Sequence, residues 1–286
     1  MEENMTKENI AAPVKKRRRR KPLPVLAFID TEFNAFDYYG QNGGTQEIIQ
    51  IGMVITKGGK IIDNFSSYCA LKKGHVLSKR SIRLTGIQNE DLKNAPSFEA
   101  VLETMNTLLD EHLPIAIYAY GSEDKLQMIN TARLHRLDKA TLRHIDHIED
   151  NMHLLASKLG VKKRSNLSLS VKDLCTICEI DADKPHDAYN DALYLAQCSE
   201  KIRKGDFSAA NVQTLLDKKL WMSNYRIARR IKESHEHLLL DDSDLAPIRA
   251  LIAKLQEDGG YPDYQLQAIL DDILMLSGRI PELDKK

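Results

Sequence analysis

The order of hydrophobic and polar positions divides the chain into a first part with strands and helices and a later part with helices only. Short apolar runs at 25–29 and 115–119 are typical of buried strands, and the segments 47–55 and 60–70 also have strand-like patterns. Gly58-Gly59 between these two segments indicates a hairpin. Apolar positions at helical spacing predict helices at 97–111, 122–136, 150–159, 168–178 and 187–203. This order predicts a three-layer α/β domain with a mixed β-sheet.

The pattern becomes purely helical after about residue 205. Amphipathic segments lie near 208–234, 243–257 and 263–277, and Gly259-Gly260 with Pro262 separates the last two. We therefore expect three parts along the chain: a disordered basic tail at 1–23, the α/β domain at 24–204 and a helical C-terminal appendage at 205–286.

Composition is that of a soluble globular protein. The chain has 286 residues, of which 42% are hydrophobic and 29% charged, so a large core and a solvated surface are both available. No apolar stretch approaches the ~18 residues of a membrane span, and we expect no membrane partner. Four cysteines do not make a disulfide framework in a chain of this length, which favours a reducing, cytoplasmic location.

Charge is balanced over the whole chain but concentrated at its start. Lysine plus arginine and aspartate plus glutamate both number 41, yet residues 1–22 hold eight of the basic residues and three of the acidic ones. The remainder therefore carries 33 basic and 38 acidic residues. The seven consecutive cations at 15–21 make either a solubilising arm, a sequence-independent contact to phosphate or a nuclear address, and we favour a phosphate tether over an address.

Acidic residues follow two of the predicted strands. Asp30 and Glu32 come directly after the run at 25–29, and on extended chain their side chains point to the same side. Two such carboxylates repel unless a cation lies between them, and hard divalent cations prefer oxygen ligands. Asp124 lies in the first turn of the helix after the run at 115–119. Each feature alone is also explained as a solvated acid at a strand end or a helix start.

A histidine and an aspartate occur together at the start of a later helix. His186 precedes the helix predicted at 187–203, and Asp191 lies about one turn inside it. The helix fixes the carboxylate, whereas the imidazole sits on a looser segment from which it can reach a water molecule. A lone histidine in such a place is more often a surface or capping residue.

Taken together, these residues resemble the DEDDh 3′–5′ exonucleases in order and spacing over about 25–203. The segments EIIQIG at 47–52, LTGI at 84–87 and APSF at 95–98 are also similar to that family. The five-residue separation of His186 and Asp191 places the resemblance in the histidine branch. Among relatives, the chain is most similar to Eri-type exonucleases and bacterial sporulation-kinase-inhibitor relatives, although Tyr120-Gly121 stands where many have Trp-Gly.

The resemblance implies a ribonuclease H-like fold and a phosphodiesterase with two Mg²⁺ or Mn²⁺ ions. It implies that Asp30 bridges both ions, that Glu32 and Asp191 help to hold the ion beside the attacking water, and that Asp124 holds the other. It implies that His186 takes the proton from that water. Nucleoside 5′-monophosphates would then leave one at a time from the 3′ end of single-stranded RNA or DNA.

Substrate contacts and the rival function are less fully specified by the sequence. Phe33 is a candidate to pack on the terminal sugar or base, and Leu84, Thr85, Gly86 and Ile87 are candidates for a wedge beside the last base, although all are equally compatible with core or loop roles. The basic segment at 218–232 either tracks a nucleic-acid backbone or forms an amphipathic helix with a basic outer face. A non-catalytic nucleic-acid-binding or regulatory protein on the same fold is the alternative to an exonuclease, and no protein partner is indicated.

Overall fold

The structure is a computed structural model that describes residues 22–34, 46–161, 168–183 and 186–219, together with the single positions 246, 250, 253 and 257. The basic tail up to residue 21 and most of the basic segment at 218–232 lie outside the described residues. Most of the helical appendage predicted at 205–286 also lies outside them.

Five strands form one mixed sheet in the order β3-β2-β1-β4-β5. The antiparallel part contains β1, β2 and β3, whereas β4 and β5 run parallel to β1. The strands are β1 (Val25–Phe33), β2 (Ile48–Lys57), β3 (Lys60–Tyr68), β4 (Ala116–Ala119) and β5 (Ile148–Asp150). The predicted mixed sheet is therefore confirmed.

The main departures from the predicted strands are a longer β1 and an additional strand, β5. β1 continues past residue 29, so Asp30 and Glu32 lie inside the strand, opposite Gly52 and Gln50 of β2. The three-residue strand β5 was not predicted, and it occupies the start of the helix expected at 150–159. That helix begins only at Met152. The strand β5 was not predicted because a run of three residues is too short to show any period.

Helices cover both faces of the sheet. They are α1 (Lys79–Thr85), α2 (Asn89–Leu92), α3 (Phe98–His112), α4 (Glu123–His135), α5 (Met152–Lys158), α6 (Val171–Cys178) and α7 (Ala188–Lys204), and residues 209–219 are also helical. The Ser97 side chain caps α3 as predicted, accepting a hydrogen bond from the amide of Ala100. Within the described ranges, no helix is both long enough and apolar enough to cross a bilayer.

The core lies in two layers separated by the sheet. Ile29 of β1 belongs to a cluster with Phe98 and Leu102 of α3, whereas the preceding residue, Phe28, belongs to a cluster with Leu195 of α7. Successive strand residues thus face opposite layers, as the strand period of two requires. The three-layer α/β fold predicted from the sequence is confirmed.

Candidate active site

A cleft of about 520 Å³ opens at the end of β1 where the acidic residues lie. The five residues singled out for chemistry all line it, and so do three of the five proposed for substrate contact. Its lining comprises Asp30, Thr31, Glu32, Phe33, Gln46, Arg80, Ser81, Leu84, Thr85, Glu123, Asp124, His186 and Asp191.

The two carboxylates of β1 form the centre of the cleft. Burial, followed by the charges of Asp124 and Asp191, raises the pKa of Asp30 well above its ordinary value. Burial and the charge of Asp191 raise the pKa of Glu32 to about 8. The site therefore holds like charges that are poorly compatible without a counterion. A bound cation would relieve this repulsion.

Asp124 enters the cleft from the first turn of α4 and is tied to β1. Its Oδ1 accepts hydrogen bonds from the Thr31 amide at 3.0 Å and from the Thr31 hydroxyl at 2.7 Å. Burial raises the pKa of Asp124 to about 6, and the two hydrogen bonds from Thr31 act in the opposite direction. Thr31 thus fixes one Asp124 oxygen and leaves the other for the cleft. Sequence reasoning missed Thr31 because the bond joins residues 93 positions apart.

The start of α7 is held against β2 by two polar contacts. Asp187 caps the helix by accepting from the Asn190 amide at 3.0 Å, and its second oxygen accepts from Gln50 Nε2 at 3.0 Å. The Ala188 amide donates to Gln50 Oε1 at 3.2 Å. Gln50 therefore connects the sheet to the first turn of the helix that carries Asp191.

Gly52 of β2 permits this close approach. A Cβ built at Gly52 would lie closer than 3.0 Å to the backbone atoms of Ala188 and Tyr189, a separation that real Cβ atoms essentially never show. The glycine of the EIIQIG segment is thus explained by helix packing. Its backbone is ordinary strand, so the reason is space, not conformation.

His186 and Asp191 meet the β1 carboxylates across the cleft. The His186 amide donates to Asp191 Oδ2 at 3.1 Å, and His186 adopts a left-handed backbone with φ of 64°. One ligand atom each from Glu32, His186 and Asp191 lies within 4.8 Å of the others. Burial raises the pKa of Asp191, and the contact with His186 opposes that rise. Carboxylate oxygens beside an imidazole fit a hard divalent cation such as Mg²⁺ or Mn²⁺.

The segment predicted as a substrate wedge is only partly in the cleft. Leu84 and Thr85 line it from the last turn of α1, and Phe33 lines it from the end of β1. Gly86 ends α1 with φ of 76° and is not part of the lining. Ile87 is 5% exposed and packs into a small apolar cluster with its neighbours Ile49, Leu77 and Leu92. The structure thus assigns Ile87 to the core, because the helix end turns its side chain inward.

Polar residues that were not predicted complete the cleft. Gln127 of α4 donates through its Nε2 to Gln46 Oε1 at 2.8 Å and to Glu123 Oε1 at 2.6 Å. Arg80 also lines the cleft, one helical turn before Leu84. Of these residues, Glu123 could have been predicted from the sequence, because it is adjacent to Asp124. Arg80 would have required recognising α1 as a helix.

Comparison with families of known proteins finds a match that covers most of the described α/β part of the chain. A family model named RNase_T and described as an exonuclease matches residues 27–198, more than half of the chain. The fold is similar to a structure titled 3′-end specific recognition of histone mRNA stem-loop by 3′-exonuclease, at 19% identity and a TM-score of 0.53 over 64% of this chain and 65% of that one. It is also similar to E. coli exonuclease I in complex with a dT13 oligonucleotide, at 14% identity and a TM-score of 0.50 over 63% and 41% of the two chains. At these identities the structures establish the fold alone.

Curated relatives match over shorter stretches. DNA polymerase III PolC-type from Thermotoga maritima is 33% identical over 91 residues, which is 31% of this chain and 6% of the polymerase. The corresponding protein from Oceanobacillus iheyensis is 29% identical over 147 residues, 51% of this chain and 9% of the polymerase. The chain thus spans less than a tenth of the length of these relatives.

Proposed function

This chain belongs to the RNase_T exonuclease family, and on that premise we propose that it is a two-metal 3′–5′ exonuclease acting on single-stranded nucleic acid. It hydrolyses the last phosphodiester bond and releases nucleoside 5′-monophosphates. The observation that carries the proposal is the convergence of four carboxylates and one imidazole, from β1, α4 and the start of α7, on a single cleft.

Asp30, Glu32, Asp124 and Asp191 would hold two Mg²⁺ or Mn²⁺ ions. When bound, such ions neutralise charge on the phosphate and the leaving oxygen and lower the pKa of a bound water. The oxygen-rich donor set fits this role, and so does the raised pKa of Asp30, which reflects burial among neighbouring carboxylates. Thr31 and Gln50 orient the parts of the protein that carry these ligands.

His186 takes the proton from the attacking water. Its imidazole lies beside Glu32 and Asp191, and an imidazole accepts a proton readily near neutral pH. The hydrogen bond from its own amide to Asp191 fixes the backbone of the loop relative to α7. The side chain itself is exposed and so reaches water in the open cleft.

The apolar side chains next to the carboxylates favour a single strand. Phe33 and Leu84 line the cleft beside Glu32, where an unpaired terminal base can pack on them. The terminal base of a duplex is paired with the opposite strand and stacked on its neighbour, so it must unpair before it can pack on these side chains. The proposal covers both RNA and DNA.

The proposal is tested with the purified full chain and oligonucleotides labelled at either end. RNA and DNA are incubated side by side with Mg²⁺, with Mn²⁺ and with EDTA. We expect 5′-monophosphates to be released from the 3′ end, a requirement for metal, and a loss of about three orders of magnitude or more in Asp191→Ala. Asp206→Ala, just beyond the other end of α7, changes an exposed carboxylate and serves as the matched control.

Two results would contradict the proposal. Hydrolysis that persists in EDTA, or equal activity of wild type and Asp191→Ala, would exclude the metal-dependent mechanism. Metal-independent binding of oligonucleotide with no hydrolysis would instead establish the non-catalytic alternative.

A further inference from the structure

Helix α1 presents a positively charged edge beside the acidic cleft. Three of its seven residues are basic and exposed: Lys79, Arg80 and Arg83. The surrounding segment 71–88 contains five lysines and arginines and no aspartate or glutamate. The edge formed by Lys79, Arg80 and Arg83 is therefore a local concentration of positive charge next to a group of carboxylates.

Arg80 is the member of this basic edge that faces the substrate cleft. It lines the cleft together with Ser81, Leu84 and Thr85, which form one face of α1. Arg80 and Leu84 are separated by one helical turn, about 6 Å along the axis. A strand whose last base packs against Leu84 and that continues along this face of α1 would pass the guanidinium of Arg80.

In the part of the chain that the structure describes, the cations of the basic edge are not neutralised by a carboxylate. Over the described ranges, Lys79, Arg80 and Arg83 form no ion pair with any carboxylate. Other arginines in the same part of the chain do: Arg143 pairs with Asp110 at 2.9 Å and Arg203 with Glu200 at 2.7 Å. A cation that lines a cleft rich in acids and pairs with none of them is available for an anion that enters the cleft.

We propose that Arg80 binds the backbone phosphate that lies one nucleotide to the 5′ side of the scissile phosphate, and that Lys79 and Arg83 extend this contact along the strand. The inference rests on the proposed exonuclease function. The planar guanidinium suits a phosphate because it donates two parallel hydrogen bonds. The carboxylates repel an approaching polyanion, and the basic edge offsets this repulsion without reading sequence.

The proposal predicts a dependence on substrate length. An oligonucleotide offers the upstream phosphate, whereas the p-nitrophenyl ester of thymidine 5′-monophosphate has only the phosphate that is cleaved. Arg80→Gln should raise the KM for a 12-nucleotide strand about 10-fold, as expected for the loss of one charged hydrogen-bonded contact, with kcat within about twofold. The rise in KM for the p-nitrophenyl ester should be much smaller. Arg80→Lys should lie between wild type and Arg80→Gln, since it keeps the charge but loses the paired donors.

Binding measured without turnover separates this inference from the enzymatic proposal. Fluorescence anisotropy of a labelled 12-nucleotide strand in EDTA should give a slope of log K against log salt that is about 0.7 shallower in Arg80→Gln. The double variant Lys79→Gln/Arg83→Gln should also flatten the slope. Arg133→Gln removes an exposed charge about 14 Å along α4 from Asp124 and should leave the slope unchanged.

Each outcome decides one of the two proposals. An unchanged salt slope and an unchanged oligonucleotide KM in Arg80→Gln would overturn the phosphate contact, and so would an equal rise in KM on the oligonucleotide and the ester. Absence of hydrolysis by the wild-type protein would instead overturn the proposed function, while the anisotropy measurement would still report on Arg80.

Discussion

Gly52→Ala tests whether the approach of α7 to β2 positions the active site. The substitution adds one methyl group where the backbone of Ala188 and Tyr189 already fills the space. Backbone atoms at the start of a helix cannot rotate away as a flexible side chain can. The helix must therefore shift, or the strand must bend, and either movement displaces Asp191 and His186 from Asp30 and Glu32.

The size of the effect follows from the distance that α7 must move. An added Cβ would lie closer than 3.0 Å to backbone atoms, whereas ordinary van der Waals contact begins at 3.4 Å. Restoring contact requires a movement on the order of 1 Å. A displacement of that size costs about 100-fold in rate when it affects groups that must be aligned. Overpacking of this kind also lowers the free energy of unfolding by about 1–3 kcal/mol.

Two measurements on the same protein preparation test the prediction. Hydrolysis of a labelled single strand gives kcat and KM, and urea unfolding gives the free energy of unfolding. We expect kcat to fall much more than KM changes, because the cleft wall formed by α1 is not displaced. Gly205→Ala at the C-terminal end of α7 is the control: its φ of 76° makes alanine unfavourable by about 1–2 kcal/mol, but the added Cβ meets open space.

Comparing Gly52→Ala with Gly205→Ala separates displacement of the active-site residues from a simple loss of stability. If Gly52→Ala retains the wild-type kcat, or if Gly205→Ala loses as much activity at equal stability, the close packing of α7 on Gly52 does not control the geometry of the site.

Three further substitutions test the site and its support. Thr31→Val removes the hydroxyl that donates to Asp124 at 2.7 Å. Because this hydrogen bond lowers the pKa of Asp124, we expect the acidic limb of the pH–rate profile to move to higher pH in the variant. An acidic limb at the wild-type pH would contradict this. Glu47→Gln replaces a fully buried carboxylate, which accepts hydrogen bonds from two imidazoles at 2.8 and 2.6 Å, with an uncharged amide. It should lower the free energy of unfolding in urea by about 3 kcal/mol. Asp110→Asn, in an exposed cluster, should lower it much less, and equal losses would refute the distinction. Since the pKa of Glu32 is raised from 4.5 to about 8, the metal-free protein should lose stability as pH rises between these values, and Glu32→Gln should flatten that dependence in thermal melts; an identical slope would show that the carboxyl is not responsible.

Local pattern was sufficient for the features that depend on neighbours in the chain. Alternation along a strand placed Asp30 and Glu32 on one side whether or not the strand ended at residue 29. The Ser97 cap and the apolar face of α3 were likewise readable from a few adjacent positions. The motif residues and their spacing were enough to predict the family and the three-layer fold.

Short elements could not be read in this way. The three residues of β5 are too few to show a period, and they are a strand because β4 pairs with them. Helix α1 has seven residues, and its first turn is fixed by the Ser78 side chain, which accepts a hydrogen bond from the Ser81 amide. No helix was predicted at 79–85, so there was no reason from the sequence to place Arg80 beside Leu84. Ile87 was equally compatible with a substrate or a core role, and the structure places it in the core.

The sequence by itself determined which groups are available for chemistry, since the identity and spacing of the carboxylates and the histidine are covalent facts. Only the tertiary structure decided how they meet. Thr31 reaches Asp124 across 93 positions and Gln50 reaches Ala188 across 138, and Gly52 matters only because a helix from the far end of the domain rests on it. Contacts between distant segments depend on the packing of the whole sheet and its helices, and no local pattern contains that information.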